Sequence, residues 1–108
     1  MSLYKEYIEE LGLKHMYETE KGFALYSFLD DGIYLEDLYV SKEFRGQDIA
    51  KELADKVASI GKEKGHKKLY GSVLTTINNS SRNLQIFLHY GMKLETVTNN
   101  FIFLSKDI

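Results

Sequence analysis

The stretch IYLEDLYVSKEFRGQDIA, residues 33–50, decides the fold. Ile33 to Val40 reads as an apolar strand, residues 41–47 as a glycine-containing turn, and from Ile49 onward Ile49, Leu53, Val57 and Ile60 recur at helical spacing. A strand that breaks through Arg45-Gly46 straight into a helix leaves several backbone N–H groups pointing at one spot beside the positive end of the helix dipole. That spot suits a phosphate-bearing ligand. Simple alternation puts Ile33, Leu35, Asp37 and Tyr39 on one face of the strand and Tyr34, Glu36, Leu38 and Val40 on the other, one carboxylate to each face.

Downstream, Ala50, Ala54 and Ala58 form a small-residue seam that lets the helix lie close on a sheet, and Gly65 ends it. Lys68 to Leu74 reads as a buried strand; reached through a crossover helix, it is expected to run parallel to the strand before that helix. Asn78-Asn79-Ser80-Ser81 supplies helix-start chemistry for a second helix carrying Leu84, Ile86, Phe87, Leu88 and Tyr90 and closed by Gly91. A hairpin follows, Lys93 to Thr98 and residues 101–105 around Asn99-Asn100. Upstream, residues 3–11 read as an amphipathic helix with Leu3, Tyr7, Ile8 and Leu11 on one side, stopped by Gly12. Residues 14–19 and 23–29 are strands around Glu20-Lys21-Gly22, and Asp31-Gly32 turns the second back into Ile33 antiparallel. The expected order is one helix, three antiparallel strands, a helix, a strand, a helix and two strands, an α+β chain with a mixed sheet of about six strands.

At 108 residues the chain reads as a single domain, 1–108, with a helix over 1–12 and the sheet and ligand-binding core over 14–108. The absence of cysteine excludes disulfides, thiolate metal ligands and a cysteine nucleophile, and fits a reducing cytoplasm. No apolar run approaches membrane length. With 14 basic against 16 acidic residues there is no global field for nucleic acid or anionic membrane. His15, His66 and His89 lack ligand spacing, so no metal site is expected. The run from Lys62 to Lys68 reads as cations complementing a helix C-terminus.

Arg45, Gly46, Gln47, Asp48, Ile49 and Ala50 resemble the pattern Arg/Gln-x-x-Gly-x-Gly/Ala, the acetyl-CoA-binding motif of the GNAT superfamily of N-acetyltransferases, most like its diamine and polyamine branch. Leu84 to Met92, LQIFLHYGM, is similar to the family's later helix, in which an aromatic precedes glycine by four residues. Three positions depart from the pattern. Asp48 stands where the family has its first signature glycine, Phe87 where the catalytic tyrosine usually stands, and Ser80 where an asparagine is common near the cofactor, with Asn78 and Asn79 adjacent. The family also has a further first strand and a longer helical region before residue 14, part of the amine-binding lip.

The resemblance implies a GNAT fold and acetyl transfer from acetyl-CoA to a primary amine, a small amine or polyamine. It places the pantetheine arm and thioester carbonyl on the backbone of Leu38, Tyr39 and Val40, where the sheet splays, and the diphosphate on the N–H groups from Gly46 to Lys51. Asn79, Ser80 and Phe87 complete the cofactor set, and Glu36 is the implied base, acting on the ammonium through water. Each role has a plainer alternative. Glu36 is equally a strand carboxylate paired with a lysine, and Asp37 reads as structural. Phe87 is equally a packing residue. Tyr90, three residues beyond it, is a weak candidate acid and otherwise a core aromatic. A carboxylate at Asp48 about 4 Å from a phosphate costs on the order of 4 kcal/mol at an effective dielectric near 20. Alternatively Asp48 is an N-cap whose side chain takes the donors that a phosphate would use. A GNAT-fold module that binds CoA or a protein partner without turnover is the rival reading, and a homodimer through the carboxy-terminal hairpin is expected.

Overall fold

The computed structural model describes residues 3–12, 14–76 and 80–108. In order, the elements are α1 (Leu3–Glu10), β1 (His15–Thr19), β2 (Gly22–Phe28), β3 (Ile33–Val40), a 3-10 turn (Lys42–Phe44), α2 (Ile49–Glu63), β4 (Lys68–Leu74), α3 (Ser80–Tyr90), β5 (Lys93–Thr98) and β6 (Phe101–Asp107). The strands form one sheet in the order β1-β2-β3-β4-β6-β5. Every neighbouring pair is antiparallel except β3 and β4, which run parallel across the α2 crossover as the sequence predicts.

The main core lies on one face of the sheet. Ile33, Leu35, Leu69, Val73 and Leu104 meet Ile49, Leu53, Ala54 and Val57 of α2, and Leu84, Phe87 and Tyr90 of α3 pack at its margin. Fully burying each such aliphatic side chain stabilises the fold by about 1.5–3 kcal/mol. The small-residue seam of α2 continues to Gly61, where a Cβ would lie only 2.6 Å from Cγ2 of Ile33. A Cβ on Gly71 of β4 would lie 3.3 Å from Cε of Met92 and 3.4 Å from Cζ of Phe87, so α3 presses on the sheet at a second glycine. The opposite face carries α1, whose Ile8 meets Met16 and Leu25; Leu25 adjoins Ala24 of the main core, and consecutive strand residues point to opposite faces.

Three expectations about faces fail. On α1 only Ile8 is buried, while Leu3, Tyr7 and Leu11 are exposed, because the helix rests on β1 with a single turn of its apolar side inward. In β3, Leu25 pairs with Asp37 and Tyr26 with Leu35, which leaves Glu36 as an extra residue in a β-bulge. The bulge shifts the alternation, so Ile33 and Leu35 share the main core with Leu38 and Val40, whereas Asp37 and Tyr39 turn to the other side, where Tyr39 stacks on Phe23 at 5.6 Å. Strict alternation cannot foresee this, since one inserted residue reverses every face after it. On α3, likewise, Ile86 and Leu88 point to solvent.

Candidate functional site

The site begins with a break in the sheet. β3 pairs with β4 only at Ile33–Leu69, Tyr34–Tyr70 and Leu35–Gly71. Beyond these rungs β2 follows β3 to Val40 and β6 follows β4 to Leu74, so the two central strands part while each keeps its outer neighbour. A V-shaped gap opens between residues 36–40 and 72–74, and its edges are backbone without a strand partner. Leu38, Tyr39 and Val40 line one edge, where the sequence expected backbone donors. The N–H of Leu38 is not free, however: it donates to Oδ1 of Asp37 at 2.8 Å, an exposed contact.

Where β3 ends, the chain turns. Ser41 N–H donates to the carbonyl of Lys21 at 2.8 Å and Phe44 N–H to that of Ser41 at 2.9 Å, which fixes the departure from the sheet. Arg45 folds back onto β3, with Nε donating to the carbonyl of Val40 at 3.1 Å and the guanidinium 5.7 Å from the Tyr39 ring centroid. Gly46 (φ +83°) and Asp48 (φ +62°) both adopt left-handed backbone, which explains why a glycine belongs at either position. Among side-chain-bearing residues Asp is one of the few that enters this region readily, so Asp48 preserves the turn at a cost of about 1 kcal/mol.

This conformation also corrects the capping reading. Asp48 is the N-cap of α2, its carbonyl accepting the Glu52 N–H at 3.1 Å, but its carboxylate makes no capping hydrogen bond and is exposed. Among the described residues nothing accepts from the N–H groups of Ile49, Ala50 and Lys51, which thus stay open at the positive end of a fifteen-residue helix. The Lys51 side chain does not join them, since its ammonium pairs with Asp55 at 3.0 Å. Gln47 is exposed in the turn.

Around the gap, Glu36 sits at the bulge with its side chain 26% exposed, and Oε1 lies 3.6 Å from the ammonium of Lys14. The lysine-paired reading is therefore realised in geometry, through a long and partly solvated contact worth little to stability. Phe87 abuts Gly71, the β4 residue of the last β3–β4 rung, and so stands beside the vertex of the gap. Tyr90 does not face an open site. Its hydroxyl donates to Oδ1 of Asp55 at 2.6 Å, and the Lys106 ammonium lies 4.0 Å over its ring. Burial, then the bond to Asp55, push its phenol well above the ordinary tyrosine range, which makes it a poor proton donor. Asn79 lies outside the described residues; Ser80 opens α3, and its side chain is likewise outside them. The basic run around Lys62 lies at the other end of α2 from the turn.

Sequence reasoning missed a pair of hydroxyls. Tyr34 and Ser72, on β3 and β4, hydrogen-bond to each other at the gap's narrow end. The signal was available in Ser72, a hydroxyl between Gly71 and the buried Val73 of the strand KLYGSVL.

A mixed sheet that splits between its parallel strands, with open helix-start amides beside the split, defines a class of protein that holds an extended, phosphate-bearing ligand by its backbone. The chain belongs to the acetyltransferase (GNAT) family, whose model matches residues 7–85. Over 58 residues it is 41% identical to thialysine N-epsilon-acetyltransferase of Bos taurus, a match covering 49% of this chain and 34% of that relative, so the chain spans about a third of the curated relative's length. Among solved structures, a putative GNAT-family acetyltransferase from Desulfovibrio desulfuricans superposes with a TM-score of 0.82 at 15% identity, covering 97% of this chain and 76% of that one. A GNAT family acetyltransferase from Elizabethkingia anophelis with acetyl-CoA bound superposes with a TM-score of 0.71 at 22% identity, covering 96% and 83%. The fold is the GNAT fold. Among the described residues no cluster of metal-ligating side chains is found, and no helix is long and apolar enough to cross a membrane.

Proposed function

We propose that this chain is an acetyl-CoA-dependent N-acetyltransferase acting on a primary amine, with small amines and polyamines as the acceptor class. The observation that carries the reading is the β3–β4 gap on the strand that leads, through the turn at residues 41–48, into the open amides of Ile49, Ala50 and Lys51. The family match, the acetyl-CoA in the Elizabethkingia anophelis relative and the amine-acetylating name of the Bos taurus relative support it. The turn amides from Gly46 to Lys51 would hold the diphosphate, and the β3 edge from Leu38 to Val40 the pantetheine arm. Bound there, acetyl-CoA supplies an activated acyl group. Asp37 must release the Leu38 N–H for that donor to reach a thioester oxygen, and an exposed hydrogen bond is readily exchanged.

Glu36 takes the ammonium proton, directly or through water, so that the amine nitrogen can form the amide bond as the C–S bond breaks. Phe87 has no proton for the departing thiolate, which lowers the rate by roughly 10²–10⁴ if nothing replaces it. A thiol of pKa near 8.5 nevertheless leaves tolerably unaided. Phe87 and the occupied Leu38 amide favour, as a second reading, a module that binds CoA or a protein partner without turnover.

The test is thiol release from acetyl-CoA with a panel of polyamines, arylamines and peptides, alongside a CoA titration. Amine-dependent release supports the enzyme, binding without release supports the CoA-binding module, and no binding at millimolar CoA defeats both of these and leaves only the protein-partner form of the second reading. A homodimer and a cytoplasmic location belong to the same proposal. Exposed Leu94 and Val97 on the edge strand β5 motivate the dimer, and a monomeric mass by light scattering would contradict it.

A further inference from the structure

We propose that the Tyr34–Ser72 hydroxyl pair supplies the proton that Phe87 cannot, an inference that rests on the acetyl-transfer reading of the same gap. Tyr34 alternates with the buried Ile33 and Leu35, and Ser72 with Gly71 and Val73 of the helix-covered side, so both hydroxyls lie on the opposite face of the sheet. They bond to each other across β3 and β4. Tyr34 belongs to the second of the three rungs, and Ser72 directly follows Gly71, the β4 residue of the last one. The pair therefore stands at the vertex of the gap on one side of the sheet, while the Phe87 ring stands at the same vertex on the other. Both hydroxyls are only partly buried, so solvent reaches them.

A phenol is a competent donor to a thiolate because its conjugate base is stabilised by the ring, and a serine hydroxyl beside it can relay the proton and stabilise the phenolate left behind. The step balances without another reactant. The amine nitrogen bonds to the acyl carbon, the C–S pair departs on sulfur, sulfur takes the proton from the pair, and solvent returns a proton to Tyr34. Glu36, on the same strand two residues on, takes the ammonium proton, so β3 would carry the base and the donor together.

The experiment measures kcat and KM for acetyl-CoA of the full chain and of Tyr34→Phe, Ser72→Ala and Tyr34→Phe/Phe87→Tyr, each checked for folding by circular dichroism. The expected result is a fall in kcat of about tenfold to a hundredfold in Tyr34→Phe with KM changed less than threefold. Ser72→Ala is expected to give a smaller fall. Phe87→Tyr is expected to restore at least tenfold in the Tyr34→Phe background, because it returns a phenol to the other side of the same vertex. A purely structural clamp is not rescued from across the sheet. An unchanged kcat in Tyr34→Phe, a loss that Phe87→Tyr leaves in place, or a parent chain that binds CoA without turnover overturns the proposal. If Tyr34→Phe fails to fold, an unaltered kcat in Ser72→Ala overturns it. Failure of the parent to bind CoA at all instead defeats the acetyltransferase reading on which the proposal stands.

Discussion

The turn before α2 and the vertex beside α3 both differ from the residues that the family resemblance leads one to expect, and the consequences differ. At the turn, Asp48 stands where a glycine is expected, yet the backbone is left-handed and, among the described residues, the amides of Ile49, Ala50 and Lys51 are open. At the vertex, Phe87 fills the space where a tyrosine is expected, packs against Gly71 and leaves no hydroxyl. A site built from backbone donors survives a change of side chain so long as φ survives. A site built from one side-chain proton does not, and its function passes to another group or is lost.

The strongest way to break this contrast is at Glu36, where chemistry again depends on a single side chain. Glu36→Gln keeps the shape of the bulge and removes the proposed base, so kcat is expected to fall by roughly 10²–10⁴ while CoA affinity in a titration stays within about threefold. An equal loss of CoA binding would mean that the bulge, rather than the carboxylate, matters. Next in size is Gly61→Ala. With Cγ2 of Ile33 only 2.6 Å from the new methyl, overpacking should lower stability by about 1–3 kcal/mol in a urea melt. Because β3 must shift to make room, CoA affinity should fall with it.

Asp48→Gly sharpens the other half of the contrast. The αL residue becomes glycine, which should stabilise the fold by about 1 kcal/mol. Removing an exposed carboxylate near the diphosphate should tighten CoA by about fivefold to tenfold, the water-screened end of the Coulomb range. A thousandfold gain would show that the carboxylate occupies the site in the parent, against the exposed, uncapped position it has here.

The smallest expected effect lies at Tyr90. Its hydroxyl bond holds the Asp55 carboxyl below its usual range, so that contribution to stability is present above the ordinary carboxylate pKa and lost as pH falls through the folded value. Burial raises the phenol itself, so its contribution is full below the ordinary tyrosine pKa near 10 and is lost as pH rises above it. Tyr90→Phe should therefore flatten both limbs of a stability-against-pH curve and cost less than about 1 kcal/mol at neutral pH. It should leave kcat unchanged, as expected of a phenol already committed to Asp55.

Much of the fold was legible because local chemistry and global topology agree. Asp31-Gly32 makes the β2–β3 hairpin, Asn99 and Asn100 both take positive φ in the β5–β6 turn, and the α2 periodicity matches the residues that reach the core. The bulge at Glu36 was not legible, since a single extra residue leaves composition and spacing unchanged while reversing the faces of Asp37 to Val40. Nor was the orientation of Asp48: its residue type favours an N-cap, whereas its φ decides where the carboxylate points. The Tyr34–Ser72 bond joins residues 38 apart in sequence and needed the parallel register to appear.

The central claim is that the turn still binds CoA through its backbone despite Asp48. Its most direct test is a CoA titration of the full chain followed by amide NMR. The predicted result is saturable shifts at Gly46, Ile49, Ala50 and Lys51, whose open amides face the expected diphosphate. A folded protein in which those amides remain unmoved at millimolar CoA would contradict it.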